Sequence, residues 1–400
     1  MPRTPAPLLL VTGLVLALLA MGYGALFSVL DDIRDDYGIG ETALGAIIGI
    51  GFFAGFLAQV LIAPFADRGH ARRLVLAGLL LDVAGLVLIA ASRDVPGLLL
   101  GRFVMGVGVG TAVPAVRRIM IVAEPDRIGH NLGRLLAADV GGFAAGPAVA
   151  AVLVGPRGIP GPFLVIAAAV LISVPIIARV ARIPETEAPP AARLAFDLLR
   201  IRPFAGAVAL GCGVFLMIGC FDALWTVALD DLDTAEWVAN LGITMFALPL
   251  VVFGSIGGRL AQRVGPFRVG SVGLLLGSGF MLLYGLVPTG LVMFAVAMVH
   301  SVSDALTVSS AGVAVGLVVP AARQAGAQGV LGGLETLCAG VSALVVGALY
   351  EHAGRAAAYG TAAAAMFLLV VVGVLLARGS WRLRGAPPTG ATDRPAPVAG

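Results

Sequence analysis

The chain has 400 residues, of which 59% are apolar and only 12% are charged, with a mean hydropathy of +1.01. Soluble domains run near 45–50% apolar and about 25% charged, so a soluble multidomain enzyme and an intrinsically disordered chain are both excluded. The net charge is +3 and all 26 basic residues are Arg, spread along the chain rather than gathered on one module; this argues against nucleic-acid binding and for Arg flanking membrane helices.

A hydrocarbon core of about 30 Å takes about 20 apolar residues of helix. Residues 8–30 supply the first such run without a charge, and it is longer than the roughly 7–15 apolar residues of a signal peptide. Further spans are predicted at 42–64, 74–91, 97–116, 133–154 and 163–180, then at 204–229, 237–256, 269–286, 291–313, 326–349 and 356–377, twelve in all. We number them helix 1 to helix 12. With the N-terminus inside, the inner segments carry 21 Arg, while the outer loops carry only Arg34, Arg93, Arg157 and Arg355. The positive-inside rule then places both termini in the cytoplasm of a plasma-membrane protein. The outer loops are acidic, at Asp31, Asp32, Asp35, Asp36, Asp230, Asp231, Asp233 and Glu236.

The chain repeats itself. Phe65-Ala66-Asp67-Arg68 and Gly78-Leu79-Leu80-Leu81 return, shifted by 195 residues, as Leu260-Ala261-Gln262-Arg263 and Gly273-Leu274-Leu275-Leu276. Two parallel six-helix repeats are a transporter architecture with a substrate site near the midplane between the halves. The predicted organisation is an N-terminal bundle (1–180), a cytoplasmic linker (181–203) with PETEAPP at its centre, a C-terminal bundle (204–377) and a disordered cytoplasmic tail (378–400). The expected fold is thus all-α, twelve helices in two bundles around a central cavity.

Three motifs carry a family resemblance. The helix 2–3 loop, APFADRGHARRL, resembles the signature loop of the major facilitator superfamily, with Asp67, Arg68, Arg72 and Arg73 matching in type. Its second copy, GRLAQRVGPFR, keeps Gly258, Leu260, Arg263 and Gly265 and has Gln262 in place of the acid. A carboxylate at a helix end can bind the N-terminus of a neighbouring helix and lock the cytoplasmic gate; a purely topogenic Arg cluster is the alternative. In helix 4, Arg102 followed by Gly106 resembles the family's R-x-x-x-G motif, whose Arg is associated with proton coupling; snorkelling to the outer surface is the other reading. In helix 5, Gly142, Gly146 and Pro147 resemble the G-x-x-x-G-P core typical of the family's antiporters, although Ala150-Ala151 replaces the Gly pair that follows. Generic close packing would also use these residues.

Ionisable residues inside the spans are Asp82, Arg102, Asp139, Asp222, His300, Asp304 and Glu335, each a candidate for function. Helical rise puts Asp304 about 20 Å below the outer end of helix 10 and Glu335 about 14 Å above the inner start of helix 11, both near mid-membrane. His300 and Asp304, four apart, share a helix face and could share a proton; a structural hydrogen bond between helices is the alternative for Asp304 and Glu335, and a structural role is the first reading of His300. Asp222 and Trp225 fall near the outer end of helix 7, Trp225 as an interface anchor and Asp222 as an outer-gate or structural acid. Asp139 falls near the inner end of helix 5, where Arg134 is its expected partner. The coupling candidates are Asp304, Glu335, Arg102, His300 and Asp222, with Arg102 as the expected counter-charge to the buried acids. HSVSD at His300 is one residue short of an H-x-x-x-x-D acyltransferase motif and lies within a span; HExxH, GxSxG and the P-loop are absent.

The resemblance implies proton-coupled export of a hydrophobic or amphiphilic small molecule, with uptake symport as the alternative. A non-transporting receptor or a membrane enzyme is the remote third reading. The expected partners are a small-molecule substrate, protons and the lipid bilayer, for a monomeric chain with no cofactor, no metal and no nucleic acid.

Overall fold

The computed structural model describes residues 6–180 and 194–385. The linker segment around PETEAPP and the last fifteen residues of the expected tail lie outside the described residues. Among those described, the regular structure is helical throughout. Helices 1 to 6 are Ala6–Ser28, Glu41–Leu61, Ala71–Ala91, Val95–Ala123, Ile128–Arg157 and Pro160–Val180. Helices 7 to 9 are Arg202–Asp230, Glu236–Val264 and Pro266–Leu286. Helix 10 runs as Gly290–Thr307 and, past a break, Ser310–Val318. The last apolar stretch, Gln324–Leu376, is interrupted at Gly354, whose φ of 80° is left-handed. It therefore forms two helices, 324–353 and 355–376, and completes the twelve.

The pairing within each half repeats in the other. Helix 1 packs on 5, 2 on 4 and 3 on 6; helix 7 packs on 11, 8 on 10 and 9 on 12. Small residues permit these crossings. Gly142 and Gly146 press directly on the backbone of helix 1 at Ala17 and at Met21–Ala25. The G-x-x-x-G-P motif thus works inside the first half, and does not reach the second. Each half has its own apolar core, one around Leu19, Leu26, Leu79 and Phe163, the other around Phe204, Trp225, Tyr284 and Tyr359. Outward-facing Leu80, Ile172, Leu286, Leu344 and Leu368 are exposed, a surface that only lipid can cover.

Three sequence expectations change. Helix 4 continues to Ala123 instead of ending at Val116, so Arg117 and Arg118 are helical residues and not loop charges. Trp225 is 1% exposed and stacks on Phe221 inside the second half, so it is core and not an interface anchor. The chain does not become disordered at Arg378: Trp381 and Leu383 pack on the second half's core, and the Gly385 amide donates to the Gln262 carbonyl at 3.0 Å. Apolar side chains in a short Arg-rich segment give it a surface to bury that composition alone does not reveal.

Candidate functional site

The halves touch through helix 5 against helix 8 and helix 2 against helix 11. Both contacts are tight toward the Arg-rich face. A Cβ on Gly258 would overlap the Gly129 carbonyl, and one on Gly129 would overlap that of Gly258. Gly133 fits against Gly254 in the same way, and Gly329 against Gln59 and Ala63. Toward the acidic face the contacts open. On helix 11 a Cβ at Gly333 would meet Phe56 of helix 2 at 3.2 Å, whereas Gly340 and Gly347, seven and fourteen residues on, have nothing within 4 Å. Gly45 and Gly49 of helix 2 are equally uncrowded. The two halves are therefore sealed at the Arg-rich face and splayed at the acidic one. Gly258→Val is expected to prevent the seal. A cysteine introduced at Ser255, which faces Gly133, should then react with a thiol reagent applied from the Arg-rich side. Equal reaction rates in the parent and the valine variant would show that these glycines do not set the contact.

The seal is built from two related brackets. Asp67, 2% exposed, accepts from Arg118 Nε at 2.8 Å, from the Ala325 amide at 2.9 Å and from the Gly326 amide at 2.8 Å. Those amides are the orphan donors at the start of helix 11, where the helix dipole favours an anion. In the second copy, Gln262 Oε1 accepts from the Gly129 amide at the start of helix 5, and its Nε2 donates to the Asp126 carbonyl, both at 2.8 Å. The substitution of Gln for the acid is thus accounted for: this site offers one donor and one acceptor, which an amide satisfies and a carboxylate does not. Arg68 lies over the Phe65 ring at 4.9 Å, Arg72 is half-buried at the start of helix 3, and Arg73 and Arg263 are exposed. Gly265 has φ 120° and turns the chain from helix 8 into helix 9.

A short helix, Ala195–Arg200, closes the linker against this bracket, with Ala195 packed at Gly326. Its Asp197 takes a bidentate pair from Arg323 at 2.6 and 2.6 Å. Those bonds hold the Asp197 carboxyl below the usual carboxylate range. A depressed folded-state value contributes stability above the unfolded pKa, and that contribution is lost as pH falls through the folded value. With Asp197 43% exposed, solvent screening limits the gain to below about 1 kcal/mol. Asp197→Asn should lower the melting temperature of the detergent-solubilised protein slightly at neutral pH and not at all in acid. An equal loss at both would assign the effect to packing.

Above the brackets lies a cavity of about 80 Å³ between the halves. Helix 4 contributes Arg117, helix 5 Leu132, Leu136 and Asp139, helix 10 Ser309 at its break, and helix 11 Gln328 and Glu335. Thr307 bonds back to the Ser303 carbonyl at 3.0 Å just before that break, a pattern that bends helices. Ser309 Oγ and Gln328 Oε1 are buried without a hydrogen-bond partner among the described residues. With Leu16, Leu135, Phe215 and Leu331 completing the wall, a space of this size and mixed lining holds a few waters at its polar groups and not a drug-sized molecule. Asp139 and Glu335 are both within electrostatic range of Arg117. Arg117, and not Arg134, is thus the cation beside Asp139.

The other candidates lie elsewhere. Arg102 is 3% exposed, with its guanidinium 4.4 Å above the Tyr23 ring and 5.9 Å from Phe52, inside the first half. It neither snorkels outward nor faces Asp304 or Glu335, which corrects its expected role as their counter-charge. The acid nearest to it in charge terms is Asp82, wholly buried with both carboxyl oxygens unpartnered among the described residues. Asp304 and His300 are buried within the second half, 3.4 Å apart, with Tyr284 Oη 2.9 Å from His300 Nδ1 and Phe280 stacked on the imidazole at 4.6 Å. Neither lines the cavity between the halves. Asp222 is exposed, facing the open side within electrostatic range of Tyr23 across the gap. Tyr23, Phe27, Phe52 and Phe143 form a half-exposed aromatic cluster on the first half.

Arg117 and Arg118 were not visible in the sequence as site residues, and Gln262 was visible only as a departure from the acid of the first copy. The available signal was the Arg117-Arg118 pair, which reads as topogenic until helix 4 is known to continue through it.

Comparison with known proteins agrees with this geometry. The sequence pattern described as Major Facilitator Superfamily matches residues 12–233. Among solved structures, the human organic anion transporter MFSD10 (TETRAN) superposes with a TM-score of 0.77 at 17% identity, covering 93% of this chain and 100% of that one. FucP, a Major Facilitator Superfamily transporter in the outward conformation, gives a TM-score of 0.76 at 17% identity, covering 94% of this chain and 99% of that one. At this identity the likeness concerns the fold.

Proposed function

The chain belongs to the major facilitator superfamily and is a multi-pass membrane transporter, and on that premise we propose that it exports a hydrophobic or amphiphilic small molecule from the cell in exchange for protons. The carrying observation is the cavity that sets Glu335 of one half against Arg117 and Asp139 of the other. A carboxylate there sits on the surface that must separate when access alternates. Its protonation is thereby linked to the state of the gate, which is what a coupled transporter requires. Substrate occupies the wider space above, between the aromatic cluster and Asp222, because the lower cavity is too small for it. The Arg-rich face is cytoplasmic, so the described state opens to the outside. Asp304 and His300, remote from the moving surface, act within the second half. The test is transport into inverted plasma-membrane vesicles against a compound panel, with and without a pH gradient. Accumulation of panel compounds that collapses with the gradient is expected. Gradient-driven movement in the opposite sense would make the protein an uptake symporter, and gradient-independent flux would remove the proton.

A further inference from the structure

Arg117 and Arg118 are consecutive on helix 4, so their side chains diverge by about 100°. Arg118 turns to Asp67, which holds the start of helix 11. Arg117 turns into the cavity and crosses to the same helix. Its Nη1 would lie 3.8 Å from a Cβ on Gly332, one turn below Glu335. The Gly332 position itself is filled by Gln59 of helix 2, and the Arg117 guanidinium lies beside it, so two polar side chains of the first half border helix 11 there. Two acids line the same cavity within electrostatic range of this guanidinium: Asp139 from its own half and Glu335 from the other. The remaining groups facing Glu335 are uncharged, namely Cys212 of helix 7, Ser309 of helix 10, and Gln328 and Cys338 on its own helix.

We propose that Arg117 is the positioning residue through which the charge on Glu335 strengthens or releases the bracket between Asp67 and helix 11. This rests on the coupling reading given above for Glu335. With Glu335 ionised, Arg117 ties the first half to helix 11. With Glu335 neutral, Asp139 draws Arg117 back to its own half, and the bracket three turns below loses its support. Protonation and gate opening are then joined by two neighbouring arginines.

Hydrogen exchange on the purified full chain in lipid nanodiscs tests this without substrate. The amides of Ala325 and Gly326 donate to Asp67, so their protection, corrected for the intrinsic effect of pH on exchange, reports the bracket. In the parent, protection should fall as pH is lowered. In Glu335→Gln it should stay low at all pH values, about tenfold below the parent at high pH, the scale of one charge-assisted contact. Arg117→Gln should match that flat profile, and Arg117→Lys should keep the slope. Asp139→Asn, which removes the competing acid, should raise protection at low pH. If Glu335→Gln is flat while Arg117→Gln keeps the parental slope, or if Asp139→Asn changes nothing, Arg117 is not the link, although Glu335 remains the proton site. A parental slope in Glu335→Gln overturns the link and the coupling reading together.

Discussion

Asp67→Asn is expected to leave the protein in the membrane and to cut transport by at least about tenfold. The carboxylate gathers three donors, Arg118 and two amides at the start of helix 11, in a site that is almost fully buried. Asparagine keeps one acceptor oxygen and loses the charge. Arg118, whose side chain is 7% exposed, is then buried without an anion. Removing one partner of a buried pair costs about 3–5 kcal/mol. That cost lies within the first half; what falls on the state sealed at the Arg-rich face is the loss at the two helix 11 amides, whose bonds to the carboxylate span the halves, break when they part and are worth about 1.5–3 kcal/mol each. A population shift of that size empties one end of the transport cycle. Initial transport rates, normalised to membrane-inserted protein, are the measurement. A parental rate would reduce the loop to a topogenic Arg cluster.

Glu335→Gln is expected to abolish pH-driven transport while sparing substrate binding and exchange. Its side chain stands in the cavity between the halves and reaches Gly211 of helix 7, where a Cβ would collide with Oε1. Glutamine preserves that shape and removes the proton. Coupling is then lost without loss of the path, since substrate sits above the cavity. Proton release on adding a transported compound to purified protein should vanish in Glu335→Gln and persist in Asp304→Asn. Release from Glu335→Gln that matches the parent would move the coupling site to Asp222, Asp139 or Asp82. The contrast with Asp304 is the informative part. Both acids lie near mid-depth, but only Glu335 is on the surface that the two halves share.

Much of the fold was legible in the amino-acid sequence. Spans are dictated by the length of apolar helix needed to cross lipid, so twelve of them could be counted along the chain. The internal repeat was legible because Asp67 and Gln262 end equivalent helices at the same distance from equivalent Gly-Leu-Leu-Leu runs. Rotation about each helix axis was not legible, because nearly uniform hydrophobicity leaves no polar face to mark it. Only the tertiary structure decided that Asp304 pairs with His300 inside one half, while Glu335 and Arg117 line one cavity between the halves. It also decided that Arg102 lies on Tyr23 and Trp225 in a core. Arg117 is the sharpest case. As sequence it is one of many arginines near the end of a span, and its place comes from two further turns of helix 4 and from the cavity that it lines with Asp139 and Glu335. Depth in the membrane follows from counting residues along one helix. Partnership depends on which faces of several helices meet, and helix packing alone sets that.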